Sequence, residues 1–241
     1  MTTPSKSGLV ITAHPGDFVW RAGGAIALHA AKGYAMKIVC LSYGERGESQ
    51  FAWKKAGVQL EDVKAQRRDE AERAAHILGA TIEFFDAGDY PLRITEAMLD
   101  RVIDIYREVK PAFVLTHALE DPYNFDHPGA AHLAQEARII AQAHGHKPGE
   151  AVIGAPPVFL FEPRQTEQCD WKCDVLLDIT QVWDKKRAAI ECMTGQEHLW
   201  EYYTHAALRR GNQCRRNGGA KACTHAEGYQ RIFPATPELL A

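Results

Sequence analysis

Of 241 residues only six are cysteine (Cys40, Cys169, Cys173, Cys192, Cys214 and Cys223), which fits isolated thiols better than a disulfide framework. The stretch CDWKC has a CxxxC spacing, but no second Cys/His pair of finger-like spacing accompanies it, so no structural zinc cluster is expected there. No window approaches the roughly 18 apolar residues of a membrane span. The first apolar run, in MTTPSKSGLVITAHP, is also shorter than the core of a secretion signal, so a cytoplasmic protein with no membrane partner is expected. Lys/Arg blocks and basic stripes are missing too, and the formal net charge is −3, which argues against a phosphate backbone as ligand and excludes nucleic acid as the expected partner. No internal repeat or low-complexity tract breaks the chain.

What the chain does have is 46% apolar residues, enough for a single sizeable α/β domain over residues 1–241. The apolar, β-rich runs LVITA, KIVCLSY, TIEFFDA and AFVLTHA alternate with helical patterns near 20–33, 59–78, 94–110 and 128–144, as βαβ units around a parallel sheet do. Those runs are apolar at nearly every position, the mark of strands covered on both faces. The expected architecture is a doubly wound, mostly parallel, Rossmann-like sheet, whose ligands bind at the carboxyl ends of the strands. After HKPGEAVIGAPP, the runs VFLFEP and DVLLDIT extend or flank the sheet. The segment VWDKKRAAIECMTGQEHLWEYYTHAALRRG reads as helix with a break near Gly195, and the C-terminal third as a cap on the site or a subunit surface.

Candidate chemistry gathers at two strand ends. His14 and Asp17 in VITAHPGDFVWRAGG follow the first strand directly; alone, Asp17 reads equally as a helix N-cap and His14 as a turn histidine. The fourth strand ends in THALEDPYNFDHPGAAHLA, which brings His117, Glu120, Asp121, Asp126, His127 and His132 to the same edge. A set of two histidines and one carboxylate drawn from these loops would leave open positions on a divalent ion, as catalytic sites require. His132, five residues past His127 on the following helix, falls on a different face. The second strand runs into SYGERGESQF with Glu45, Arg46 and Glu48, and the third into FFDAGDY with Asp86 and Asp89.

With all four strand ends in view, the chain resembles the PIG-L/LmbE-like family of zinc-dependent deacetylases. The resemblance rests on AHPGD against the family's AHPDD, SYGERG against TxGExG, RRDEAERAAHILG against RRxExxxAAxxLG, and YNFDH against YHPDH. It implies a zinc or other divalent ion held by His14, Asp17 and His127, with Asp126 behind the ligands, and a homo-oligomer, a hexamer among the options. Two departures stand out. The family's general base, the first aspartate of AHPDD, is Gly16 here, and the assisting histidine of HPDH is Asn124. Loss of a general base typically costs ~10²–10⁴-fold, so the deacetylase reaction is not expected unless Glu48 or Glu45 has taken over.

The wording TAHPGDFVWRAGGAIA and CMTGQEHLWEYYT resembles the family's hydratase branch, which adds water to the double bond of 4-oxalomesaconate, a tricarboxylate of gallate and protocatechuate breakdown. Hydration needs a positioned water, a group to move its proton and a cation to steady enolate charge; no leaving amine has to be protonated. On that reading Glu48 is the acid–base residue, with Glu45 as its rival, and Asp126 assists catalysis from behind the metal ligands. Arg46 and Arg67 (or Arg68) pair with substrate carboxylates, and Tyr123 and Asn124 donate to substrate oxygens. A deacetylase with a relocated base and a metal-binding relative without turnover are the competing expectations.

Overall fold

In a computed structural model, which describes residues 6–236, seven strands form one sheet in the order β3-β2-β1-β4-β5-β7-β6. The strands are β1 (Ser7–Thr12), β2 (Ala35–Cys40), β3 (Ala80–Phe84), β4 (Phe113–Thr116), β5 (Val158–Phe161), β6 (Val175–Asp178) and β7 (Ala226–Arg231). The first five pair in parallel, whereas β7 runs antiparallel between β5 and β6. The helices are α1 (Asp17–Ala31), α2 (Leu60–Leu78), α3 (Glu96–Val109), α4 (Asp126–Ala141), α5 (Trp183–Glu191) and α6 (Trp200–Arg216).

Period-two alternation sends the apolar residues of β1 to two cores. Val10 packs with Phe18, Ala22, Ala74 and Ile190 of α1, α2 and α5, while Leu9 and Ile11 pack with Ile103, Tyr106 and Ala134 of α3 and α4. Both sheet faces are thus covered, which is why the strand runs are apolar at nearly every position. From central β1 the chain winds out to β2 and β3, then crosses over to β4 and β5. The order therefore reverses between the carboxyl ends of β1 and β4, and a crevice opens there.

The four βα alternations stand close to where the sequence put them. The break near Gly195 is present as a 3₁₀ stretch, Thr194–Leu199, in which Gln196 is non-helical (φ −138°, ψ 38°). Strand β7 was not expected; AEGYQR carries only Ala226 and Tyr229 as apolar residues, and it is a strand because it fills the gap between β5 and β6. No described helix is long and apolar enough to cross a membrane.

Candidate metal centre and its cavity

His14 leaves the end of β1 and Asp17 is the first residue of α1, so a single tight turn sets them side by side. Gly16, not Asp17, is the residue that precedes the helix; the Asp17 carboxylate instead accepts from the His14 backbone N–H (3.1 Å) and lies 3.1 Å from His14 Nδ1. From the end of β4 come Asp126 and His127, the opening residues of α4. His14 Nε2 lies 3.1 Å from Asp126 Oδ2, and Asp126 is itself fixed by the backbone N–H groups of Tyr90 (2.9 Å) and Leu92 (2.8 Å). In the same way His127 Nδ1 pairs with Asp121 Oδ2 at 2.8 Å. Each imidazole is thus oriented by a carboxylate through one nitrogen and keeps the other for the centre, the arrangement seen behind metal-ligating histidines.

Three donors converge: among the described residues, ligand atoms of His14, Asp17 and His127 lie within 4.8 Å of one another, and all three residues are buried. His127 Nε2, 3.5 Å from Asp17 Oδ1, has no hydrogen-bond partner although buried. Such orphaned groups are costly unless something binds them. A divalent cation fits these donors: two imidazole nitrogens and a carboxylate, with room left for further ligands.

Electrostatics agree with that use. Burial disfavours the charged form of His14, yet its hydrogen bonds to Asp126 and Asp17 outweigh this and push its pKa up to about 10. Burial likewise opposes ionisation of Asp17, but the imidazoles around it, His127 foremost, hold its carboxyl well below the ordinary range. Asp121 and Asp126 are also depressed against the effect of burial, by His127 and His14 respectively. His117 is different: burial, reinforced by His127, keeps it neutral, and its Nε2 accepts from the Ala13 backbone N–H at 3.0 Å. It stacks on the His127 ring (centroids 4.2 Å apart) and so packs behind the donor set.

A cavity of about 210 Å³ opens over the three donors. Besides the donors themselves, Gly16 and Asp121, the residues singled out from sequence that line it are Glu48, Tyr123 and Asn124. Glu48 is held by three donors: Asn124 Nδ2 (3.0 Å) and Tyr90 Oη (3.2 Å) to Oε1, and Gln196 Nε2 (2.9 Å) to Oε2. Tyr90 stays protonated to donate, because burial and then the Glu48 charge raise its pKa. Gly16 faces this group: a Cβ there would run into Trp20 Nε1 and lie 2.9 Å from Gln196 Oε1, so the turn has no space for a side chain as it stands.

The expected arginines are not in this cavity. Arg46 is exposed and pairs with Glu45 (Nη1 to Oε1, 3.0 Å); its loop is turned outward by Asp89, which accepts from the backbone N–H groups of Arg46 and Gly47. Glu45 faces an open hollow on the outer side of the loop, lined also by Arg46, Asp86 and Asp89, and not the donor set. Arg67 is fully buried, ion-paired to Glu70 (2.5 Å) and donating to Gln196 Oε1 (2.7 Å), one residue removed from the cavity wall. Arg68 forms a surface pair with Glu72. The guanidiniums that line the cavity are Arg21 and Arg164, which sequence reasoning passed over, as it did Gln196 and Tyr90. Arg21 had a readable signal: it lies four residues after Asp17, on the same helical face. Gln196 had none, because only the kink in Thr194–Leu199 aims it inward.

Comparison with known proteins agrees with this geometry. The chain is 63% identical to the 4-oxalmesaconate hydratase of Pseudomonas putida, over all of this chain and 95% of that one. The crystal structure of GalB, the 4-carboxy-2-hydroxymuconate hydratase from Pseudomonas putida, superposes with a TM-score of 0.96 over 98% of this chain and all of that one, also at 63% identity. The N,N'-diacetylchitobiose deacetylase of Pyrococcus horikoshii shares the fold alone, at 22% identity and a TM-score of 0.78 over 95% of this chain and 84% of that one. Residues 9–138 match the PIG-L family, described as GlcNAc-PI de-N-acetylase. The stretch from β1 through most of α4 that builds the donor set is the part the family shares, and the chain belongs to the PIG-L family.

Proposed function

We propose that the chain is a metal-assisted hydratase that adds water to the carbon–carbon double bond of 4-oxalomesaconate, whose enol tautomer is 4-carboxy-2-hydroxymuconate, giving 4-carboxy-4-hydroxy-2-oxoadipate. One observation carries this reading: full-length 63% identity to a hydratase of that substrate, in a chain whose cavity keeps all three metal donors while Gly16 leaves no place for a hydrolytic aspartate.

His14, Asp17 and His127 would hold the ion, zinc by the character of the donors, with Asp126 and Asp121 orienting the two imidazoles. When bound, such an ion supplies positive charge that offsets the enolate developing on the substrate and makes nearby water more acidic. Glu48 takes the proton from the attacking water. A C–O bond forms at one alkene carbon, the π electrons move toward the conjugated carboxylate, and the neighbouring carbon takes up a proton, which the same carboxyl can return. Asn124, Tyr90 and Gln196 hold both Glu48 oxygens, so the base is aimed before substrate arrives. Tyr123 lines the cavity and is the side chain left to meet a substrate oxygen; Asn124, expected to do the same, spends its amide on Glu48, on the Tyr90 hydroxyl and on the Asp126 backbone N–H. No group leaves, so the absence of a leaving-group acid is tolerated. A homo-oligomeric assembly belongs to the same reading.

The test is the absorbance of 4-carboxy-2-hydroxymuconate mixed with metal-loaded protein, since conjugation is lost when water adds. Bleaching that a chelator abolishes and added metal restores, with the hydroxy-oxoadipate product confirmed, is expected. No bleaching with metal bound, together with acetate release from N-acetyl sugars, would overturn the hydratase in favour of a deacetylase using Glu48.

A further inference from the structure

A tricarboxylate substrate needs cationic partners, and the two arginines that the sequence offered for this, Arg46 and Arg67, are committed elsewhere. Arg21 is not. Its side chain is only 7% exposed, yet its Nε has no hydrogen-bond partner among the described residues, and its ion pair with Asp17 Oδ1 is loose, at 3.7 Å from Nε. A buried guanidinium with unused donors is expensive to keep unless a ligand takes them. Burial alone would lower its pKa, but Tyr203, Asp17, Asp121 and Glu48 more than offset this, so the group is always charged. It borders two spaces: the 210 Å³ cavity over the metal donors, and a hollow behind it of about 30 Å³. The second is large enough for a water but too small for a carboxylate.

The helix turn that carries Arg21 is built to stay in place. Glu227 of β7 accepts from the backbone N–H groups of Gly24 (2.7 Å) and Ala25 (2.8 Å). These N–H groups sit one turn beyond the carbonyls of Trp20 and Arg21. Those carbonyls also meet side chains: Lys186 Nζ donates to Trp20 O (2.9 Å), and the Tyr229 hydroxyl lies between Glu227 Oε2 (2.6 Å) and Arg21 O (3.3 Å). Lys186 also donates to Glu227 Oε1 at 2.6 Å. A buried acid, amine and phenol from the C-terminal third thus grip α1 at the turn bearing Trp20 and Arg21.

Resting on the hydratase reading, we propose that Arg21 is the anchor for a substrate carboxylate: its guanidinium, one helical turn past Asp17, pairs with that group beside the metal donors and selects polycarboxylates over neutral acyl substrates. A guanidinium fork matches a carboxylate in a way that lysine does not.

The experiment compares wild type, Arg21→Lys and Arg21→Met as metal-loaded full chains. It reads steady-state bleaching of 4-carboxy-2-hydroxymuconate, calorimetric binding of tricarballylate as an unreactive tricarboxylate, metal content and Tm. Arg21→Met is expected to raise KM and weaken tricarballylate on the order of 10²-fold together, the scale of a lost paired, charge-assisted contact. Arg21→Lys should recover part of both, with metal content unchanged. Unaltered KM and tricarballylate affinity, with falling Tm or metal content, would make Arg21 a counter-ion of Asp17 and overturn the proposal. Tricarballylate binding reads Arg21 without turnover, so a wild type that binds it through Arg21 but fails to bleach the substrate would sink the hydratase reading alone.

Discussion

Replacing Arg67 by methionine separates a strut from a substrate contact. Arg67 and Glu70 are each 1% exposed and pair at 2.5 Å, while the second guanidinium nitrogen holds Gln196 Oε1. Glu70 keeps Thr194 Oγ1 (2.7 Å) and the Gly195 N–H (2.9 Å) but loses its charge partner. Removing one side of a buried ion pair costs about 3–5 kcal/mol, and at ~2–4 °C per kcal/mol for a chain of this size the Tm should fall by roughly 6–20 °C. Gln196, released from Arg67, no longer holds Glu48 Oε2 in one place, so kcat should drop by up to about 10²-fold. KM should change little, because Arg67 does not reach the cavity. Differential scanning calorimetry with metal content held equal, alongside steady-state bleaching, measures both arms. A Tm within a degree or two of wild type combined with a large KM increase would refute this reasoning and return Arg67 to the substrate.

Other outcomes follow from the same geometry. His127→Ala removes the orphaned Nε2 donor, so bound metal and activity should fall together in metal analysis and the bleaching assay; full activity without metal would contradict the donor assignment. Glu48→Gln should keep the metal and lose turnover by ~10²–10⁴-fold; unchanged turnover would pass the proton to another residue. Without metal, His14 holds its proton up to about pH 10, and an incoming ion must displace it, so affinity should rise with pH. Metal titrations near pH ~6 and ~8, with proton release read by calorimetry in two buffers, test this, and an affinity flat across that window would contradict it.

Local sequence determined the alternation of strands and helices, because apolar runs and helical periods are one-dimensional signals that survive without tertiary contacts. It also brought the candidate metal donors to one edge, since His14 and Asp17 share one turn and His127 opens the helix after the fourth strand, but the choice of these three among the histidines and carboxylates there came from the family resemblance. The same logic placed Glu48 at this edge and marked the missing aspartate at Gly16, but not that Trp20 and Gln196 fill the space beside it. Arg46 and Arg67 failed for a physical reason. Adjacency in sequence says nothing about which way a loop turns or whether a helical arginine faces solvent, core or cavity, and here Asp89 and Glu70 decided it. Arg21, Gln196 and Tyr90 enter the cavity through a helix gripped by β7, a non-helical kink and a loop tied to Asp126. Those placements join residues up to about two hundred positions apart, and only the packed chain brings such partners within hydrogen-bond distance.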